Sequence, residues 1–103
     1  MPQDDPYVIQ LVGGVEGIER FPELVENIGR YVVRYEPELS RKGERWLWTT
    51  DDLNEALTFA NAQQVHETYL ASIGKRPDGR PDRPLTVFHV SIARRSKFAK
   101  ENA

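Results

Sequence analysis

The sequence contains no cysteine, a single methionine and no long hydrophobic run. The absence of cysteine excludes disulfides, thiol nucleophiles and thiolate metal sites, and it fits a reducing compartment. No apolar stretch approaches the roughly 20 residues that a membrane-spanning helix needs. The opening residues, MPQDDPYVIQLVGG, also lack the basic segment and apolar stretch of a secretory signal. We therefore expect a cytoplasmic protein without a membrane association.

The motifs of the common enzyme classes are missing as well. His66 and His89 do not form an HExxH or similar ligand spacing, so they do not predict a metal site. The glycine pair at 13–14 belongs to no nucleotide-binding pattern, and the sequence has no GxSxG or Cys–His nucleophile set. Asp51 and Asp52 are adjacent, which is typical of helix capping rather than of paired catalytic carboxylates. We predict no cofactor, no metal and no enzymatic activity; an enzyme would have to gather Arg, Glu and Tyr side chains from separate strands.

Charge is unevenly distributed along the chain. Residues 1–60 carry six basic and twelve acidic side chains, net −6, and residues 61–103 carry eight basic and four acidic ones, net +4. The basic part can meet an anionic partner, or it can face the acidic part across the fold. A chain of 103 residues predicts a single domain, and we expect 1–6 and 94–103 to be flexible tails.

Residue patterns predict the order of strands and helices. Tyr31, Val33 and Tyr35 are expected on one side of the second strand because side chains alternate. Two consecutive helices with a bend near Asn61 are predicted after the third strand, since short polar residues precede each of them. The result is an α+β domain in which a mainly antiparallel sheet of about four strands carries one or two helices on one face. The predicted strands, rich in β-branched and aromatic residues, are 7–12, 30–36, 44–50 and 85–93.

The segment GKRPDGRPDRPLT, residues 74–86, holds three prolines, two glycines and four basic side chains. Arg76, Arg80 and Arg83 each precede a proline, which favours an extended backbone. In a polyproline conformation, with about three residues per turn, Arg80 and Arg83 project from the same side. Guanidinium groups held in this way suit phosphate or carboxylate groups of a partner.

A simpler role for the same segment is to return the chain to the last strand. Asp78 and Gly79 predict a turn. Asp78 and Asp82 can also neutralise two of the cations locally, while Arg80 or Arg83 folds back onto the acidic part of the chain.

Two tryptophans add a possible anchor for a partner. Trp46 and Trp48 are two residues apart, so they are expected on one face with Leu47 on the other. At least one is expected in the core, and the exposed one can supply an aromatic contact surface. An alternative function, weak nucleic-acid binding, would use the loop arginines together with a second basic set, Arg94, Arg95 and Lys97.

The runs YVVRYEP, WTTDDLNEALTFANAQQV and RPDGRPDRPLTVFHVSI, which lie within residues 30–93, resemble short uncharacterised proteins encoded by bacterial phages and prophages. The resemblance implies a viral or mobile-element setting and no particular activity. The sequence departs from that group at Asp82, where asparagine is expected. We therefore predict a small non-enzymatic binding or inhibitory protein, monomeric or homodimeric, that acts on a host or viral macromolecule through Arg76, Arg80, Arg83 and the exposed one of Trp46 and Trp48.

Overall fold

The computed structural model describes residues 5–71, 74–75, 77–79 and 82–101. These residues form an antiparallel four-stranded sheet with the order β3-β2-β1-β4, which confirms the predicted α+β class. The strands are β1 (Tyr7–Gly14), β2 (Tyr31–Tyr35), β3 (Leu47–Thr50) and β4 (Phe88–Arg94). The helices are α1 (Pro22–Val25), α2 (Ala62–Leu70) and α3 (Arg95–Glu101), and 3-10 turns span Ile18–Arg20, Pro37–Lys42, Leu53–Glu55 and Pro84–Val87. Within these ranges, no helix has the length and apolar character needed to cross a membrane.

The larger core lies on the face of the sheet that α2 covers. Alternation along β1 places Ile9 and Leu11 on this face, and both are fully buried. Helix α2 begins after Asn61, whose side-chain oxygen accepts a hydrogen bond from the Gln64 amide at 2.9 Å, so this predicted cap is confirmed. One turn into the helix, Val65 is fully buried against the sheet. The buried members of this core are Ile9, Leu11, Val32, Leu47, Phe59, Val65, Leu85 and Phe88.

Strand β2 contains a bulge that changes which side chains share a face. The register of β2 against β3 shifts between Val32 and Arg34, so Val33 is an extra residue in the ladder. An extra residue reverses the alternation, and Tyr35 therefore packs against the larger core together with Val32. Tyr31 packs on the opposite face. The prediction that Tyr31, Val33 and Tyr35 share one side is wrong for this reason.

The segment 56–59 completes the sheet instead of forming the predicted helix. The Leu57 amide donates to the Val32 carbonyl at 2.8 Å, and Phe59 exchanges two hydrogen bonds of 2.9 Å with Tyr7. These backbone groups join β2 and β1, so they cannot also make the i→i−4 bonds of a helix. The first of the two predicted helices is replaced by a single 3-10 turn and this bridging segment.

Helix α3 covers the other face of the sheet. Its Phe98 is only 2% exposed and meets the Tyr31 ring edge-on, with the ring centres 5.6 Å apart. Val8, also fully buried, completes the contact. Residues 95–101 were expected in a flexible tail because they are mostly polar, but one buried aromatic side chain fixes them as a helix. Helices α2 and α3 therefore cover opposite faces of the sheet. The prediction that the helices pack on one face only is wrong.

Candidate binding surface

The Arg–Pro loop (residues 74–83) is closed at its base by a backbone hydrogen bond. The Asp82 amide donates to the Gly74 carbonyl at 2.9 Å, which brings the two ends of the loop together. Pro77–Gly79 lie exposed at its far side, where Gly79 has a positive φ of 85°, so the predicted turn is confirmed. Arg76 and Arg80, two of the arginines singled out in the sequence, lie outside the described residues.

Arg41 fastens the base of the loop to the 3-10 turn Pro37–Lys42. One of its terminal nitrogens, Nη2, lies 3.4 Å from Asp82 Oδ2 and donates to the Lys75 carbonyl at 3.3 Å. A Cβ on Gly74 would lie 2.6 Å from the same nitrogen, and Gly74 has a positive φ of 142°. The positive φ favours glycine at this position, and a Cβ would displace the terminal nitrogen of the Arg41 side chain. The charge of Asp82 is shared with Arg41, a residue that the sequence pattern did not single out.

Arg83, the residue after Asp82, is half-buried. Its Nε atom is buried and has no hydrogen-bond partner among the residues that the structure describes. Within the described part of the chain, no carboxylate lies within ion-pair distance of Arg83. Asp82 thus pairs with Arg41, a cation from outside the loop, and Arg83 forms no ion pair with the described residues. The expectation that Asp78 and Asp82 neutralise cations of the loop itself stays a prediction.

Tyr35 connects the loop to one of the two tryptophans. Its hydroxyl oxygen accepts a hydrogen bond at 3.3 Å from the amide of Leu85, which lies in the 3-10 turn between the loop and β4. The Tyr35 and Trp46 rings meet edge-on with centres 5.9 Å apart. Burial raises the pKa of Tyr35 to about 12; the Leu85 amide opposes this shift, and the negative charge of Asp82 adds to it. The phenol is therefore a neutral, structural contact between Trp46 and the loop at ordinary pH.

Trp48 lies away from the loop, because the two tryptophans do not share a face. Trp46 precedes β3 and packs against the larger core, as does the buried Leu47. The half-buried Trp48 ring contacts two guanidinium groups instead, with the carbons of Arg34 and Arg45 at 4.7 and 5.5 Å from its centre. Of the two predicted aromatic anchors, the structure brings Trp46 towards the loop and separates Trp48 from it.

The second basic set, proposed for nucleic acid, lies at the start of α3. Arg94 is engaged within the protein: its guanidinium carbon lies 4.8 Å from the centre of the Tyr7 ring, and its Nη1 donates to the Asp5 carbonyl at 2.8 Å. Arg95 is half-buried and Lys97 is exposed. Arg94 is also exposed to solvent, and a phosphate would compete with these two contacts for its guanidinium group.

Asp5 fixes the beginning of α3 through Ser96. Its carboxylate accepts hydrogen bonds from the Ser96 hydroxyl at 2.7 Å and from the Ser96 amide at 3.0 Å. These two bonds lower the pKa of Asp5, and the positive charges of Arg94 and Arg95 act in the same direction more weakly. The carboxylate thus holds the N-terminal segment against the helix.

A separate groove of about 540 Å³ lies between α1 and the beginning of β3. Three glutamates, Glu23, Glu26 and Glu44, line it together with the rings of Phe21 and Trp46. Among the described residues, no three His, Cys, Asp or Glu side chains are arranged to hold a metal ion. Arg45 also lines the groove, which is acidic on balance, whereas the sequence of the loop is basic.

Comparison with known proteins gives no assignment: no family model, curated protein or solved structure matches this chain.

Proposed function

We propose that this protein is a non-enzymatic binding module that engages an acidic surface of a host or viral protein through the Arg–Pro loop. The observation that carries the proposal is the state of Arg83. Its neighbour Asp82 is engaged by Arg41, and no carboxylate of the described chain neutralises Arg83 itself. A guanidinium group that pairs with no carboxylate of the described residues is suited to a carboxylate supplied by another molecule.

The closed base of the loop supports the same role. A hydrogen bond between Asp82 and Gly74, together with the Arg41 contacts, restricts the loop at both ends. Prolines restrict it further, so less conformational entropy is lost when a partner binds. Arg76 and Arg80 belong to the same short segment of the sequence and add two positive charges to it. Trp46 would supply a neighbouring aromatic contact, because tryptophan and arginine contribute strongly to protein interfaces.

Affinity purification from host-cell lysate tests the proposal. The wild type is compared with Arg80→Ala/Arg83→Ala, which removes two loop charges, and with Lys97→Ala/Lys100→Ala, which removes two charges from α3. We expect one specific protein to be captured by the wild type and by the lysine variant. Capture by the arginine variant should fall about tenfold or more, since charged interface contacts contribute more than 1.4 kcal/mol.

The same variants separate protein binding from nucleic-acid binding. Electrophoretic mobility of random DNA and RNA is measured with each variant at low salt and at physiological salt. Retention that disappears as salt rises, and that falls in both double variants, would indicate a phosphate-binding surface instead. Equal capture of the same protein by all three forms would exclude the loop as the binding site.

A further inference from the structure

Strand β4 forms an outer edge of the sheet, and two hydrogen bonds to β1 show which of its backbone groups point away from the sheet. The Arg95 amide donates to the Pro6 carbonyl at 2.8 Å, and the Val15 amide donates to the Val87 carbonyl at 3.0 Å. Odd-numbered residues of this strand therefore direct their backbone groups towards β1. Because direction alternates along a strand, the N–H and C=O groups of Val90 and Ile92 point away from the sheet.

These outward groups have no partner within the described chain. At this edge the Phe88 carbonyl accepts a hydrogen bond from the Tyr69 hydroxyl at 2.9 Å, but no residue that the structure describes bonds the outward groups of Val90 or Ile92. The strand contains no proline, and no Lys, Arg, Asp or Glu lies between Phe88 and Ala93. Proline, charge and covering side chains are the usual means by which proteins prevent an edge from pairing.

We propose that β4 pairs with β4 of a second copy of this chain, antiparallel and about a two-fold axis at Ser91. In this register Val90 of one copy lies opposite Ile92 of the other, and each pair exchanges two backbone hydrogen bonds. The two sheets become one continuous sheet of eight strands, with α2 of both copies on the same face. The inference is independent of the proposed binding function of the loop.

The side chains of β4 favour a second copy over an unrelated strand. Val90 and Ile92 both pack against the larger core and are half-buried, so each leaves apolar surface at the edge. In the two-fold arrangement these β-branched side chains cover one another, which is a favourable cross-strand pair. Arg94 then lies opposite Phe88 of the second copy, so the self-pairing places no like charges against each other.

An introduced cysteine tests the register directly, because the chain has no cysteine of its own. Ser91 meets its symmetry mate as a non-hydrogen-bonded pair, for which the Cα atoms are about 4.5 Å apart, within the range of a disulfide. We expect Ser91→Cys to form a covalent dimer on mild oxidation, seen on a non-reducing gel. His66→Cys, an exposed position on α2, controls for random collision. If the Ser91 variant crosslinks no more than this control, the proposed register is excluded.

Sedimentation equilibrium tests the association without a crosslink. The wild type should dimerise reversibly, and Ile92→Lys should raise the dimer dissociation constant about tenfold or more, since a charge on an edge strand opposes pairing. Val12→Lys makes a comparable change at a side chain that is 50% exposed on β1, and it should leave the constant unchanged. A wild type that stays monomeric up to about 1 mM overturns the proposal. So does a dimer that Ile92→Lys leaves intact while its circular dichroism matches the wild type.

Discussion

The two outer strands of the sheet differ in what their outward backbone groups contact. On β3, the Trp46 carbonyl accepts from the Glu36 amide at 2.8 Å, so Leu47 and Thr49 direct their carbonyls outward. Arg45 Nε donates to the Leu47 carbonyl at 3.1 Å, and Arg30 Nη2 donates to the Thr49 carbonyl at 3.1 Å. On β4, the corresponding groups of Val90 and Ile92 have no such side-chain partner among the described residues.

One small sheet can therefore have two kinds of edge. We call β3 the closed edge, because arginine side chains bond its outward carbonyls, and β4 the open edge, because its outward groups have no such partner among the described residues. Arginine suits the closed edge because its long apolar stem lies along the strand while its fork of donors reaches the carbonyls. The closed edge cannot accept another strand without first losing these hydrogen bonds. The open edge needs no such rearrangement, and association is therefore expected at β4 and not at β3.

Among substitutions at the closed edge, removing Arg30 should lower the free energy of unfolding the most. Arg30 donates to the Thr49 hydroxyl at 2.9 Å and to the Thr49 carbonyl, and it lies 2.8 Å from the largely exposed Asp51. Arg30→Met keeps the apolar stem but loses these bonds, and we expect the free energy of unfolding to fall by about 1–3 kcal/mol. Urea denaturation at neutral pH measures the change.

An exposed arginine elsewhere tests whether the loss of stability in Arg30→Met comes from the hydrogen bonds at the edge of the sheet. Arg20 is exposed in a 3-10 turn. Arg20→Met should therefore change the free energy of unfolding by less than about 0.5 kcal/mol. Equal losses in the two variants would show that Arg30 does not stabilise β3 through its carbonyl.

Removing Arg45 should have a smaller effect on the same edge. Its Nε makes one hydrogen bond to the Leu47 carbonyl, and its guanidinium lies against the exposed side of Trp48. We expect Arg45→Met to lower the free energy of unfolding by about 0.5–1.5 kcal/mol. The fluorescence of the tryptophans should change as well, because one of the two guanidinium groups at the Trp48 ring is removed. A variant that unfolds like the wild type and has unchanged emission would contradict this role.

The sequence was sufficient to predict the sheet but not its edges. Alternating apolar residues predicted all four strands, and Asn61 and Gly79 had the chemistry of a helix cap and a turn. The bulge at Val33 was not predictable, since no glycine marks it and only pairing with β3 reveals the extra residue. The helix expected before Asn61 failed because the backbone of residues 56–59 completes the sheet, a long-range contact that overrides local helix propensity.

The candidate site was predictable where it depends on neighbouring residues and not where it depends on contacts between distant ones. The composition of the loop predicted its turn at Pro77–Gly79, which depends on neighbouring residues alone. The contact between Arg41 and Asp82 joins residues that are far apart in the sequence, so no local pattern predicts it. Trp46 and Trp48 were expected on one face of the third strand. Trp46 precedes β3, however, so the alternation of side chains along the strand does not determine where its ring lies.

The last expected effect, similar in size to that of Arg45→Met, is at the open edge, where the Tyr69 hydroxyl donates to the Phe88 carbonyl. Burial raises the pKa of Tyr69, so the folded protein keeps this proton at a pH where the unfolded chain has lost it. The resulting stabilisation is complete below the unfolded pKa of about 10 and is lost as pH rises through the folded value. Tyr69→Phe should cost about 0.5–1.5 kcal/mol at pH 8. Its deficit relative to the wild type should shrink at higher pH, because only the wild type must then ionise a buried phenol. Urea unfolding of both proteins at pH 8 and at about pH 11 measures this, and a deficit that stays constant would show that the Tyr69 proton does not hold the end of β4.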